Sequence, residues 1–452
     1  MGANMSRKLA YKIAKYADLV SNKQVLEAIK ILDYGDKANT DQLAVFRQNA
    51  FLDLIKHAYN NVPYYHELFD NKGLKPGDFS TLSDIRKIPI LTKDDIRFAG
   101  ERLRSSVGKP NDYLVAGTGG TTGEPLKTIV DRRARALATH ADIRGEMWMG
   151  WKPGIPNIKL FGGSLGFPSK TSFRTKVRDY ALGIVFLPAY ELSRINISEY
   201  LSVIDKKSPC VITGYASALY NLALFAEEVG YSPRKIIALF ATSEYLPDQW
   251  GEKIAQVFKA PVKCYYGCGE INSLGYQLEQ NGPYIIPDEH VIIESGRVEE
   301  DSRITCDNSL LITSLFNYAQ PLIRYQVGDV GEVHPPGTLH PTRSTITNLV
   351  GRTSDMLVRR DGSMVSPYIG QAIISHADIN VKKYQFIQMD FDTIEFLYDP
   401  IENDISLQQK NELQEKFKQN ISEDIKITFI KTDQFILSKN NKMRIVISKI
   451  LQ

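Results

Sequence analysis

The apolar positions change period along this chain, and the changes mark out three regions. Between about residues 43 and 58, Val45, Leu52, Ile55 and Ala58 recur at helical intervals, so the first 75 or so residues read as helical. Val62-Pro63-Tyr64-Tyr65 interrupts that pattern, because proline cannot continue a helix. From about residue 110, short apolar runs such as Ile158-Lys159-Leu160-Phe161, Val211–Tyr215 and Ile236–Phe240 alternate with helical stretches, which predicts an α/β architecture. In the last hundred residues, 384–389 and 393–398 are strand-like. Leu413, Phe417 and Ile421 then mark one face of a helix, and 425–430 alternates strictly. The expectation is a large domain over residues 1–352, with a helical segment (1–75) and an α/β core (76–352), followed by a small lid over 353–452.

Composition narrows this picture without redirecting it. The 452 residues carry 55 basic and 52 acidic side chains, a formal charge of +3, and that near-balance argues against a dedicated nucleic-acid binder. No apolar run reaches the roughly 18 residues that a spanning helix needs. Residues 7–15 mix charge with apolar positions, unlike a secretory signal. Met1-Gly2-Ala3-Asn4-Met5-Ser6 fits the loose myristoylation pattern, a match short enough to arise by chance. Four cysteines (Cys210, Cys264, Cys268, Cys306) are too few for a disulfide framework, so reduced thiols and a cytoplasmic location are expected.

The densest chemical signal is Gly117-Thr118-Gly119-Gly120-Thr121-Thr122-Gly123-Glu124-Pro125. Glycines let backbone N–H groups converge on phosphate oxygens, and threonine hydroxyls add donors. A dinucleotide fingerprint would need glycine at Thr122 and a helix directly after it; a Walker loop would need Gly-Lys-Ser/Thr. Residues 112–115 and 126–130 instead look like strands, so the loop is expected at the tip of a hairpin, and both helix-opening motifs fail.

With Asn61-Val62-Pro63-Tyr64-Tyr65, 88–95 (Ile-Pro-Ile-Leu-Thr-Lys-Asp-Asp) and the later motifs in order, this loop resembles that of the adenylate-forming enzymes. The surrounding sequence is similar to their phenylacetate–CoA ligase branch, which includes CapK-like proteins associated with capsular polysaccharide synthesis. The resemblance implies a large multi-sheet N-terminal domain with a small mobile α+β C-terminal lid. It also implies ATP and Mg²⁺ as cofactors, a small carboxylic acid as substrate, and coenzyme A or an amine as acceptor.

Residue by residue, the resemblance gives Thr118, Gly119, Gly120, Thr121, Thr122 and Gly123 to the phosphates. Ser243, Glu244 and Tyr245, in a loop at the carboxyl end of a strand, go to the adenine pocket. The alternative there is a helix N-cap at Ser243. Tyr265-Tyr266-Gly267-Cys268-Gly269-Glu270 is similar to a Tyr-Gly-x-x-Glu motif, with Tyr266 against adenine and Glu270 on Mg²⁺, a hard ion that prefers oxygen; alone, Glu270 would read as a surface carboxylate. Pro321–Asp329 resembles the segment whose Asp329 receives the ribose hydroxyls, against a plain turn aspartate. Arg352 would contact phosphates or ribose, and Asp355 would be the hinge. Lys442 would neutralise charge in the adenylation transition state, although Asn441 stands where a glycine is usual and Lys439 competes with it. Phe161, Gly162, Tyr215 and Ala216, with 187–190, are candidates for the acid pocket, against ordinary core packing.

Other chemistries rank lower. Gly162-Gly163-Ser164-Leu165-Gly166 matches a nucleophile elbow, but Pro168 falls where the elbow's helix should run. Cys264-x₃-Cys268, with His290 and Cys306, permits a zinc site in spacing only. A nucleotide binder without turnover would have no need of Glu270, Asp329, Arg352 and Lys442 together.

Overall fold

Why the N-terminal apolar pattern stops at Pro63 is visible in the helices on either side of it. In the computed structural model, helix α1 spans Lys23–Lys37, α2 Thr40–Asn61 and α3 Pro63–Asn71. Asn39 starts α2 through a reciprocal capping box with Gln42. Pro63 takes the first position of α3, where its missing N–H costs nothing. The proline therefore turns one helix into the next. The buried stripe of α2 is Leu43, Ala50, Phe51, Leu54, Ile55 and Ala58. Val45, expected in that stripe, is 61% exposed, because it sits on the helix edge set by Leu52 and not under Phe51 and Leu54.

The structure describes residues 23–108, 113–117, 127–161, 179–180, 183–189, 192, 194–296, 299–300, 303–304, 308–350, 357–360, 364–365, 374, 379–401, 403–437 and 444–450. After α4 (Lys93–Ala99), strands β1 (Tyr113–Gly117) and β2 (Lys127–Asp131) form an antiparallel hairpin that pairs Gly117 with Lys127. Helix α5 (Arg132–Trp148) follows directly, capped by the Asp131 carboxylate on the Ala134 N–H.

Next come β3 (Asn157–Phe161), β4 (Ile184–Pro188), α6 (Ile197–Lys207), β5 (Cys210–Tyr215), α7 (Ala216–Glu228), β6 (Ile236–Thr242), α8 (Asp248–Phe258) and β7 (Val262–Tyr266). Strands β8 (Gly275–Gln277), β9 (Tyr284–Ile285), β10 (Val291–Gly296), β11 (Glu299–Glu300), β12 (Arg303–Ile304), β13 (Ser309–Ser314), β14 (Tyr325–His334) and β15 (Thr345–Val350) complete this part.

Eleven of these strands form one sheet in the order β10-β13-β14-β15-β9-β8-β7-β6-β5-β3-β4. From β4 to β7 the pairing is parallel, with β5 buried throughout, and Ile212, Leu239, Ile254 and Leu219 pack between strands and helices. From β7 onward it is antiparallel. The sheet changes character at β7, where the Tyr265–Glu270 motif begins.

Near the C-terminus, β18 (Val381–Gln388), β19 (Thr393–Pro400), β20 (Lys426–Lys431) and β21 (Val446–Ser448) form a separate sheet in the order β20-β19-β18-β21, after the two short strands β16 (Leu357–Val358) and β17 (Met364–Val365). Helix α9 (Leu407–Asn420) covers it with Leu413 and Phe417, both fully buried, and the Phe386 and Phe396 rings stack at 4.6 Å. The strands and helix thus fall where the spacing predicts. Residues 351–356, where the domain boundary was expected, lie outside the described residues. Among the described residues, no helix is long and apolar enough to cross a membrane.

Candidate active site

Two segments distant in sequence cross at the antiparallel edge of β7. The first runs from Tyr266 to Glu270, the second from Tyr325 to Asp329, and each offers a tyrosine and a carboxylate four residues apart. The Tyr266 hydroxyl donates to Asp329 Oδ2 at 2.6 Å, and the Tyr325 hydroxyl donates to Glu270 Oε1 at 2.6 Å. Glu270 and Asp329 are 6% and 8% exposed, so the surface-carboxylate reading of Glu270 is wrong. Asp329 is a strand residue after Gly328, whose φ of 91° needs glycine, and not a plain turn aspartate.

Glu270 Oε2 has no hydrogen-bond partner among the described residues. Glu270 borders a cavity of about 30 Å³, also lined by Arg135, Asn272, His290 and Asn317. A buried carboxylate oxygen left open is costly in a protein alone, and a hard cation or a ligand donor would satisfy it. Glu270 is the kind of oxygen ligand that would hold Mg²⁺, which would supply charge neutralisation there. The site does not resemble an all-protein cage, since the described residues contain no cluster of three or more His, Cys, Asp or Glu suited to a metal.

Both N-terminal signatures brace the second segment. The buried Tyr65 hydroxyl donates to the Pro321 carbonyl at 3.0 Å and accepts the Ile323 N–H at 3.1 Å. Leu91 bridges Tyr325, donating its N–H to Arg324 O and accepting that of Gln326. Arg324, held at a φ of 51°, donates from its guanidinium to the Ile88 carbonyl and to Glu294. The hairpin is tied to the same region: Gln320 accepts the Ile129 N–H, and Asn317 accepts that of Asp131. The ends of the hairpin thus stand next to the crossed pairs. Thr118–Gly123, at its tip, lie outside the described residues, as do Gly162, Arg352, Asp355 and Lys442.

On the parallel side, Ser243, Glu244 and Tyr245 leave the end of β6, beside β7, and Thr242 Oγ1 donates to the Tyr265 carbonyl at 3.1 Å. Ser243 has a φ of 67° and α8 begins at Asp248, five residues on, so Ser243 is not a helix cap. Gly267 is exposed at the turn. Phe161 and Tyr215 meet edge to face at 5.2 Å at the ends of β3 and β5, and Ala216 is fully buried beside them. Cys268 is buried, and its thiol donates to the Ile271 carbonyl at 3.2 Å; burial raises its pKa well above the ordinary value. Cys264 is half-buried, its thiol pushed up to about 12 by desolvation.

The sequence reading missed Tyr325. Its signal was the alternation of β14, which buries Tyr325, Val327 and Asp329 on one side.

A sheet of this order, with a motif turn at its parallel-to-antiparallel junction and a separate α+β unit behind, invites comparison with known folds. A crystal structure of 2-hydroxyisobutyryl-CoA ligase in the postadenylation state, in complex with 2-HIB-AMP, superposes with a TM-score of 0.69, 18% identity and 89% of each chain covered. The chain shares the fold of that CoA ligase. By sequence, the chain is 25% identical to protein CapK of Staphylococcus aureus, over 84% of this chain and 82% of that protein. It is 27% identical to a phenylacetate-coenzyme A ligase of Pseudomonas putida, over 76% and 78% of the two chains. These relatives match the phenylacetate–CoA ligase and CapK branch. No family model matches the chain. In this chain, the crossed pairs unite two motifs that the resemblance had assigned to one nucleotide.

Proposed function

We propose that this protein is an ATP-dependent, AMP-forming carboxylate ligase. The carboxylic acid attacks the α-phosphorus of ATP, the bond to the β-phosphate oxygen breaks, and pyrophosphate leaves. The acyl-adenylate then passes its acyl group to a thiol, with coenzyme A as the first candidate, and AMP leaves. The carrying observation is the crossed arrangement of Tyr266–Asp329 and Tyr325–Glu270, which holds two buried carboxylates by hydroxyls and leaves Glu270 Oε2 open.

In this reading Asp329 receives the ribose hydroxyls and Tyr266 bounds the base, with Ser243, Glu244 and Tyr245 on the neighbouring strand end. Glu270 would hold Mg²⁺, which supplies charge neutralisation at the phosphates. The hairpin loop Thr118–Gly123, Arg352 and Lys442 are assigned to the phosphates by resemblance, and Asp355 to the hinge. Such a site works by positioning and electrostatics and needs no protein nucleophile. Phe161, Tyr215 and Ala216 are the wall proposed for the acid.

Pyrophosphate exchange into ATP across a panel of aryl, alkyl and hydroxy acids tests the first half-reaction. Exchange with at least one acid is expected, and none across the panel would refute adenylation. The similarity to CapK, over most of both chains, favours one second reading, transfer to a sugar amine. Offering coenzyme A and aminosugars to each productive acid decides between thioester and amide.

A further inference from the structure

The turn that carries Glu270 ends on a residue in an unfavourable conformation. Ser273 has a φ of 65°, in the left-handed region where a residue with a side chain is strained. The turn is closed by the Leu274 N–H to Tyr266 O at 2.9 Å and the Cys268 N–H to Ile271 O at 3.1 Å. Neither bond requires a serine at 273.

Three further attachments hold Ser273 there. Its hydroxyl lies 2.5 Å from Asp142 Oδ1 and 3.0 Å from the Ala138 carbonyl, both on α5, and donates to one at a time. Its own carbonyl accepts the Nε2–H of the buried His290 at 3.0 Å. Asp142 Oδ1 also accepts the Tyr276 hydroxyl at 3.0 Å. Tyr276 lies so close to α5 that a Cβ on Gly145 would come within 2.0 Å of its ring, so glycine at 145 is what admits the tyrosine. Burial raises Asp142 to about 6, moderated by Ser273 and Tyr276, with Glu146 raising and Lys159 lowering it; Tyr265 of β7 also lies within its field, and Arg144 acts on Tyr276.

We infer that Asp142 and Ser273 act as a positioning pair, a clamp from α5 that fixes the 267–272 turn and thereby aims Glu270 at the phosphate side of the site. The clamp reaches the chemistry only through Glu270, so the inference rests on the role proposed for that residue. Because α5 follows the hairpin directly and Asp142 holds the turn, both phosphate-side segments share one rigid support.

The test uses the full-length chain as Ser273→Ala, Ser273→Gly and Asp142→Ala. Hydrogen exchange of the peptide spanning 266–274, without ligand, reads the clamp independently of activity. All three variants are expected to exchange about tenfold faster there, with the β13–β14 peptides unchanged. The Mg²⁺ concentration for half-maximal pyrophosphate exchange should rise about tenfold, with little change in rate at saturating Mg²⁺. Ser273→Gly relieves the backbone strain but lacks the hydroxyl. If it matches the native protein in turn protection, or if turn protection is unchanged in Asp142→Ala, the clamp is refuted. A native protein inactive with every acid would instead refute the adenylation reading, while turn exchange would still decide the clamp.

Discussion

Two of the regions that bury carboxylates satisfy them in opposite ways. Behind α5, Glu289 is fully buried between Arg144 and Arg343; Arg343 also reaches the Gly35 carbonyl of α1 at 2.7 Å, and both guanidinium groups lie over the Trp148 ring. Burial pushes Glu289 up, but the two guanidinium groups outweigh it and hold the carboxyl at about 2. At the candidate site, by contrast, the Glu270 and Asp329 oxygens described above meet tyrosine hydroxyls. Cations close a carboxylate to anything else, whereas hydroxyls hold it in place and leave room for a ligand. The first region is built for permanence and the second for occupancy.

This contrast can be broken at the arginine side first. Glu289→Ala leaves two buried guanidinium groups that share the partly exposed Asp36 carboxylate at 3.3 and 3.5 Å, and a loss of about 3 kcal/mol in unfolding free energy is expected in urea titration. Exchange activity per folded molecule should stay near native, and a small loss of stability would remove the distinction. The site side should answer in reverse. Glu270→Ala is expected to lower pyrophosphate exchange by about 10²–10³-fold, the scale of one lost charge-stabilising group, with unfolding free energy lowered only by the roughly 1–2 kcal/mol that the buried Tyr325 hydroxyl loses with its acceptor. A large stability loss there would make Glu270 structural.

The smallest effect sharpens the comparison through pH. Glu289 sits below its ordinary value, so its contribution is present above about pH 4.5 and fades as the pH falls toward about 2. Asp142 is raised to about 6, so its contribution is present at low pH and fades as the pH rises from about 4 through 6. Denaturation of native and Asp142→Asn protein between pH 4 and 7 should therefore show the variant gaining relative stability as the pH rises.

Much of the fold could be read along the chain because periodicity records burial. The alternation of short apolar runs predicted the parallel strands, and Leu413 and Phe417 predicted the face of α9. The hairpin at 113–131 followed from strand-like residues on both sides of a glycine–threonine loop. What periodicity could not supply was partnership across long separations. Nothing in Ile88-Pro89-Ile90-Leu91 says that it braces Tyr325, and a motif read as letters gave Asp329 a role while passing over Tyr325, four residues earlier. Val45 misled for a related reason, since spacing alone does not say which edge of a helix meets the core. Arg144, Arg343 and Glu289 were invisible because charge pairing leaves no period in a sequence.

The bond between Tyr65 and Ile323 joins residues 258 positions apart. During synthesis the N-terminal helices emerge long before the strand they support, and closing so large a loop is slow. Until residue 323 has left the ribosome, Tyr65 lacks its eventual acceptor and donor, and the apolar faces of α2 and α3 lack their cover. Nascent chains of this protein should thus be most dependent on holdase chaperones before the last third is made, and trimming the N-terminal helices should damage the candidate site although they lie far from it in sequence.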